Sequence, residues 1–484
     1  MTKGLSYADA VTLLGGRDNR MVAALDRLIG GLLLVASATG LGFALSLFDP
    51  KSELARLSGD LVSGLAQRMR GVSRLGRSER LAAAHAVIVL TAYFESLREA
   101  DLPFDTKELK LSGAEQVAVA TGGGAGTTSL RELADAVLRS DVPVPAACQP
   151  YERTLETLTG FCERCSKEAI RFVAGLALWD RLDDTHRQQF RDTVCRDVPQ
   201  RACARYEELF RRLAAEFPEA GFWANLVDHQ ATRAEIQRVN IGLAGVETAL
   251  AAISMGQVPD ERRLALARAY QAALHRPILS SGEAPEGLRI PALAETYVNP
   301  GFRAVQVRMT ARLAEEYFWS EQPVRDDLES FLLGHLTAAH ATEAPLLVLG
   351  QPGSGKSVLT QVLAARLPPS EFLVLRVIPR EVSADADPQA QIEQAIRTAT
   401  GESMLWAALA RSAGDALPVV LLDGFDELLQ ATGASSEQIV QWLTVWNAAL
   451  GQAELYERLL TRCAERARQW VTEAELDADL PALL

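Results

Sequence analysis

The stretch GQPGSGKS, Gly350–Ser357, decides the fold of the second half of this chain, because it matches the phosphate-loop pattern GxxxxGK[ST]. The apolar run LLVL at 346–349 precedes it, and SVLTQVLAARL follows with the pattern of a helix that ends before Pro368 and Pro369. A strand, a glycine-rich loop and a helix in this order form a cradle for phosphate groups. We therefore predict a P-loop at these residues.

Every residue of this loop is a candidate nucleotide-binding residue. Gly353 and Gly355 allow backbone N–H groups to turn inward around phosphates, and Lys356 neutralises the β and γ oxygens. The hydroxyl of Ser357 can coordinate magnesium. The predicted cofactors are ATP or GTP together with Mg²⁺, and no base-contacting signature distinguishes the two nucleotides. The complete candidate set is Gly350, Gln351, Pro352, Gly353, Ser354, Gly355, Lys356 and Ser357.

A second acidic motif lies further along the chain, in LPVVLLDGFDELL at 417–429. Its apolar part predicts a buried strand that ends at Asp423. A carboxylate at the end of such a strand reaches the magnesium ion, so Asp423 is the predicted metal ligand together with Ser357. Asp426 and Glu427 are the candidate catalytic residues, either of which could orient or deprotonate the attacking water.

The two motifs together resemble the NACHT NTPases, a branch of the STAND class of signalling ATPases and GTPases. The chain lacks the LSGGQ signature of ABC transporter ATPases, and Gly424 between two acids is unusual for an AAA+ motor. The resemblance implies a nucleotide-dependent switch that self-associates through the NACHT domain. It also implies a trigger ligand of unknown identity and a setting in bacterial antiphage defence. The Arg-rich, Lys-poor composition is typical of a high-GC bacterial gene.

The N-terminal part of the chain is predicted to be almost entirely helical. Its segments GGRDNRMVAALDRLIGG at 15–31 and FALSLFDPKSELARL at 43–57 resemble the helical domain that precedes the NACHT module in many actinobacterial proteins. That resemblance implies an effector or signalling domain of unknown activity. The uncharged run Leu81–Phe94 predicts a helix buried on all sides, in which His85 is a core residue rather than a metal ligand.

These patterns predict an α-helical N-terminal domain followed by an α/β P-loop NTPase (NACHT) domain with an incomplete parallel sheet. The loop SSGEAPEGLRIP at 280–291 marks the boundary. Three apolar runs, at 346–349, 372–378 and 419–422, are the predicted buried parallel strands. The expected ranges are a helical domain at 1–290, a linker with a lead-in helix at 291–336 and a truncated NACHT domain at 337–484.

After the DGFDEL motif, the sequence differs from the pattern of the family it resembles. Other members carry a strand with a polar sensor residue after the DGFDEL motif, and this strand lies between the strands of the two nucleotide motifs. Here the chain passes directly to the helical pattern SSEQIVQWLTVWNAALG, so we infer an internal deletion near Ala434–Ser436. Loss of that strand leaves two apolar strand edges unpaired. We also expect the C-terminal sensing repeats of the family to be lacking and hydrolysis to be very slow.

Composition restricts the partners and the compartment. The net charge of −13 and the absence of a basic face disfavour nucleic-acid binding. Six cysteines are too few for a disulfide framework and fit a reducing cytoplasm, and the pair Cys162 and Cys165 lies in a predicted helix. The 21 uncharged residues Leu28–Phe48 are long enough to span a membrane, although Gly40 and Gly42 favour two shorter buried helices.

Three functions remain open from the sequence. The first is a STAND-type nucleotide switch. The second is a nucleotide-binding scaffold remnant that no longer hydrolyses its ligand. The third is a helical effector that perturbs membranes through Leu28–Phe48, which would make the protein membrane-associated rather than cytoplasmic.

Overall fold

The structure is a computed structural model that describes part of the chain. Three of the predicted site residues, Pro352, Asp426 and Glu427, lie outside the described residues, as does Leu28–Phe48. The region of the inferred deletion also lies outside. The described residues are 5–6, 9–10, 13, 74–104, 137, 140–175, 177–224, 243, 246–247, 249–250, 259–278, 290–306, 316–342, 346–351, 353–378, 381–382, 388–414 and 416–424.

The chain divides into two compact units. The first comprises Met1–Val72 and Gly76–Asp228, and the second comprises Ser73–Leu75 and His229–Leu484. The predicted boundary near 290 lies within the second unit, and residues 259–278 pack with elements that follow them in the chain.

The described part of the first unit is helical, as predicted. Asp183 begins one of its helices by accepting a hydrogen bond on its side chain from the His186 N–H at 2.8 Å. A five-residue π-helix, Thr193–Asp197, leads directly into the helix that follows. The helices are α1 (Arg74–Arg98), α2 (Tyr151–Ala174), α3 (Ala177–Arg181), α4 (Asp184–Asp192), α5 (Val198–Glu216) and α6 (Pro218–Trp223).

The core of this unit surrounds α1, and residues 81–97 of that helix are all buried. The prediction for Leu81–Phe94 is therefore confirmed. His85 is fully buried, its Nε2 lies 2.9 Å from the Tyr206 hydroxyl, and burial lowers its pKa to about 3. Within the described residues, Gly76–Leu97 is one helix apolar enough to cross a membrane, but 94% of its apolar window is buried inside the protein. Such burial is typical of a core helix.

The second unit combines helices with a small parallel sheet. Its helices before the loop are α7 (Glu261–Leu274), α8 (Leu293–Thr296), α9 (Glu316–Ser320) and α10 (Leu328–Thr337), followed by a 3-10 turn at Ala339–Thr342. After the loop come α11 (Lys356–Arg366), β1 (Phe372–Val377), α12 (Pro388–Thr400), α13 (Trp406–Ser412) and β2 (Leu417–Leu422).

Strands β1 and β2 pair in parallel, from Phe372 opposite Leu417 to Val377 opposite Leu422. Helices α11 and α12 pack against β1, and α7 packs against both helices. The sheet and helices share one apolar cluster, and every β1 residue except Arg376 is buried. In β2 no residue is fully buried, since Pro418 is exposed and the other five are half-buried, so the prediction of a buried strand at 419–422 is corrected. The buried members of this cluster are Leu266, Leu373, Leu375, Val377, Val382, Ile392, Ile396, Leu409, Ala413 and Ala416.

The third predicted strand, at 346–349, is absent from the structure. These four residues have no strand conformation, and Leu346, Leu347, Val348 and Leu349 are 40%, 54%, 44% and 53% exposed. The prediction of a buried strand here is therefore corrected. A strand needs a hydrogen-bonding neighbour, and the sheet found in the described part of the chain has only two strands, which pair with each other.

Candidate functional site

The predicted phosphate loop leads directly into α11. Gly355 precedes the first residue of this helix, and no side chain caps the helix N-terminus. Gly353 and Gly355 have φ angles of 79° and 87°, which residues with a Cβ rarely adopt. The glycines thus permit the sharp turn that brings the loop in front of the helix. The unpaired N–H groups of the first helical turn and the helix dipole favour an anion at this position.

The loop residues are held by contacts among themselves. Lys356 donates through Nζ to the carbonyl oxygens of Gly350 and Gln351, at 2.6 and 3.1 Å. The Ser354 N–H donates to the Gln351 carbonyl at 3.1 Å. A Cβ placed on Gly350 would lie 2.6 Å from the Ser354 Oγ, so a larger residue would displace that side chain. The Lys356 ammonium therefore lies over the loop itself, where it could reach a phosphate.

Asp423 lies immediately after β2, where the sequence predicted a strand-end carboxylate. Its backbone N–H donates to the Val377 carbonyl at 3.0 Å, which continues the pairing of the two strands by one residue. The residue is 5% exposed. Its Oδ2 accepts a hydrogen bond from the Thr360 hydroxyl of α11 at 3.0 Å. The sheet and the loop helix are thus joined at the predicted metal ligand.

Arg376, on β1, forms an ion pair with this carboxylate through a short contact between its Nη2 and Asp423 Oδ2. Its Nε donates to the Thr360 hydroxyl at 3.1 Å, and its Nη2 lies 3.5 Å from the Ser357 carbonyl. On the backbone side, the Arg376 N–H donates to the Tyr270 hydroxyl of α7 at 3.0 Å, and burial raises the pKa of that tyrosine. One arginine therefore connects β1, β2, α7 and α11.

The geometry fits a phosphate ligand better than it fits a metal ion. On the phosphate side, an uncapped helix N-terminus and the Lys356 ammonium both offer donors to an anion. On the metal side, Asp423 supplies the oxygen ligand that Mg²⁺ prefers, yet its Oδ2 is already engaged by Arg376 and Thr360. Coordination of a metal through that oxygen requires Arg376 to move.

The structure brings together most of the predicted site. Seven of the eight loop residues surround the start of α11, and Asp423 meets the same helix one turn further on. Sequence reasoning missed Arg376, Thr360 and Tyr270. A signal existed for the first of these, because Arg376 is the one charged residue in the otherwise apolar strand FLVLRV. Charge inside a buried strand usually has a partner.

The cysteines that the structure describes show no comparable arrangement. Cys162 and Cys165 are buried on α2, and burial raises the pKa of Cys165 to about 12 and that of Cys162 as well. Buried thiols of this kind are chemically inert at neutral pH. Within the described residues, no group of three or more His, Cys, Asp or Glu side chains is placed to hold a metal ion.

Comparison with known proteins gives one match. Residues 2–228 match the family model of the NACHT N-terminal Helical domain 7. The matched range ends where the first compact unit ends, at Asp228. No curated protein and no solved structure matches the chain significantly.

The matched residues are thus similar to a helical domain associated with NACHT modules, which agrees with the helices described in the N-terminal region. A NACHT-associated helical domain suggests a protein of the STAND-type NTPase class. The matched residues do not include the phosphate loop, whose role rests on its own sequence and geometry.

Proposed function

We propose that this protein is a nucleotide-binding signalling switch of the STAND type. In this proposal ATP or GTP binds at Gly350–Ser357 with Mg²⁺, and the change in the nucleotide site alters how the NACHT domain associates with other copies. The N-terminal helical domain then carries the signal, in the cytoplasm of a bacterium that uses it in antiphage defence. The trigger ligand is a separate molecule of unknown class.

One observation carries the proposal: the glycine-rich loop, Lys356 and the uncapped start of α11 form a single exposed cradle, with a buried carboxylate one helical turn away. A helix N-terminus with an adjacent ammonium suits the charge of a triphosphate. A mere surface turn would need neither the two positive φ angles nor the connection between α11 and Asp423.

The decisive experiment is binding of fluorescent ATP and GTP analogues to the full chain in Mg²⁺, measured by anisotropy. Lys356→Ala should weaken binding by about 100-fold, because the triphosphate loses its nearest cation. Arg366→Ala is the matched control, since Arg366 lies at the other end of the same helix and pairs with Glu247 at 3.1 Å. Equal affinity of Lys356→Ala and the control variant would refute the nucleotide site.

A second candidate function, a binding scaffold with little hydrolysis, is favoured by the exposed run at 346–349 and by the Arg376–Asp423 ion pair. Phosphoryl transfer needs a free metal ligand and a group that senses the γ-phosphate, and removal of one such group costs about 10²- to 10³-fold in rate. We therefore expect fewer than about one turnover per minute. Faster phosphate release that is lost in Glu427→Gln would show an active hydrolase.

A further inference from the structure

The predicted metal ligand Asp423 has a cation of its own in this structure. The residue is 5% exposed, and the Arg376 side chain that pairs with it is 17% exposed. A carboxylate removed from water is costly without a counter-charge beside it. Arg376 supplies that charge, and Thr360 contributes a neutral hydrogen bond to the same oxygen.

The Arg376 guanidinium also lies close to both residues that are predicted to bind magnesium. Its Nη2 contacts Asp423 Oδ2 and also lies 3.5 Å from the carbonyl of Ser357. Ser357 and Asp423 are the two residues that the sequence assigns to magnesium. The guanidinium therefore contacts the carboxylate predicted to bind the metal and lies beside the backbone of the residue whose hydroxyl is the second predicted ligand.

We propose that Arg376 is a positioning residue of the nucleotide site that competes with Mg²⁺ for the carboxylate of Asp423. This inference rests on the proposed function and deepens it. Without metal, Arg376 holds Asp423 and Thr360 together and keeps the sheet joined to α11. When a divalent cation takes Asp423, the guanidinium is displaced from the carboxylate, so metal binding must offset the loss of this ion pair.

The competition predicts how the Mg²⁺ requirement responds to substitution. Binding of a fluorescent ATP analogue is measured by anisotropy while Mg²⁺ is raised from micromolar to millimolar concentration. Arg376→Gln should lower the half-saturating Mg²⁺ concentration by about tenfold, because the metal no longer displaces a charge-assisted hydrogen bond. Arg366→Gln, which removes an arginine of similar exposure from α11, should leave it unchanged. An unchanged or higher Mg²⁺ requirement in Arg376→Gln would overturn the proposal.

A conservative variant provides a second test in case Arg376→Gln does not fold. Arg376→Lys keeps the positive charge, but a single ammonium cannot reproduce the fork that contacts both Asp423 and Thr360. Its half-saturating Mg²⁺ concentration should fall by about threefold. If Arg376→Gln does not fold by circular dichroism, this variant decides the question, and a value equal to that of the unmodified protein would reject the competition.

A metal measurement without nucleotide separates this inference from the proposed function. Binding of Mn²⁺ alone, followed by the electron paramagnetic resonance signal of the free ion, should tighten in Arg376→Gln and be lost in Asp423→Ala. Nucleotide binding that is absent in the unmodified protein would refute the proposed function, while the Mn²⁺ result would still decide the role of Arg376. Nucleotide binding with identical Mn²⁺ affinities in Arg376→Gln and the unmodified protein would refute the competition alone.

Discussion

The two halves of the candidate site are built in opposite ways. The loop half, residues 346–357, is a continuous stretch whose described residues are exposed or half-buried. The strand half consists of the mostly buried β1, the half-buried β2 and the buried Asp423, which come from separate segments and pair in one sheet. Both halves contain a similar apolar run, LLVL at 346–349 and FLVL at 372–375. Only the second run is a strand.

This difference shows that apolar composition selects a strand only where a neighbouring strand is present. FLVL pairs along its length with β2 and is covered by two helices. LLVL has no paired neighbour in the described part of the chain. A strand edge without a partner leaves its backbone groups unpaired, so an extended conformation has no advantage at LLVL.

The largest expected effect is a difference in stability between two variants, each with one leucine of one run replaced by alanine. Leu375→Ala deletes a side chain that is 2% exposed and should lower the free energy of unfolding by about 2–5 kcal/mol. Leu347→Ala, at 54% exposed, should change it by less than about 0.5 kcal/mol. Urea unfolding measures both. A cost above about 1.5 kcal/mol for Leu347→Ala would mean that the first run is packed after all.

The next prediction concerns the charged end of the strand half. Asp423→Ala should retain nucleotide binding in EDTA but lose the roughly tenfold or greater gain in affinity that Mg²⁺ provides, since its carboxylate is the predicted metal ligand. Anisotropy titrations with and without Mg²⁺ measure this gain. Asp260→Ala is a suitable control, because that carboxylate caps α7 by accepting from the Arg263 N–H at 2.9 Å. An equal Mg²⁺ gain in Asp423→Ala and the control would contradict the assignment.

A substitution that strains the backbone of the loop half should have a smaller effect on nucleotide binding. Gly355→Ala places a Cβ at a φ of 87° and should weaken nucleotide binding by about tenfold, because that conformation costs roughly 1–2 kcal/mol for an L-residue. Gly401→Ala at a φ of 78°, just after α12, has similar strain away from the loop. Calorimetric binding should separate the two variants. Comparable affinity loss in both would indicate general destabilisation instead.

The smallest effect is expected where α7 supports the strand half. Tyr270→Phe removes the hydroxyl that accepts the Arg376 N–H at 3.0 Å and should lower the free energy of unfolding by about 1 kcal/mol. The same change should leave nucleotide affinity within about twofold, since the Arg376 side chain keeps its contacts with Asp423. Hydrogen exchange of the β1 amides provides the local measurement. Unaltered protection at Arg376 would show that this contact does not stabilise the strand.

The sequence by itself determined the features that depend on neighbouring residues. The loop Gly350–Ser357, the helix after it and the buried helix Leu81–Phe94 could be read directly, because glycine conformation and helical periodicity act over a few positions. The strand before Asp423 was also predictable, since a run of β-branched and aliphatic residues ending in an acid has few other structures.

Only the tertiary structure decided which apolar runs are strands and what the predicted metal ligand contacts. LLVL and FLVL cannot be distinguished by composition, because pairing depends on residues more than 40 positions away, as Phe372 opposite Leu417 shows. Arg376 and Asp423, which form an ion pair, are likewise distant in the sequence, because α12 and α13 lie between their strands. A buried charge is stabilised by whatever the fold places beside it, and that neighbour is fixed by packing rather than by local sequence.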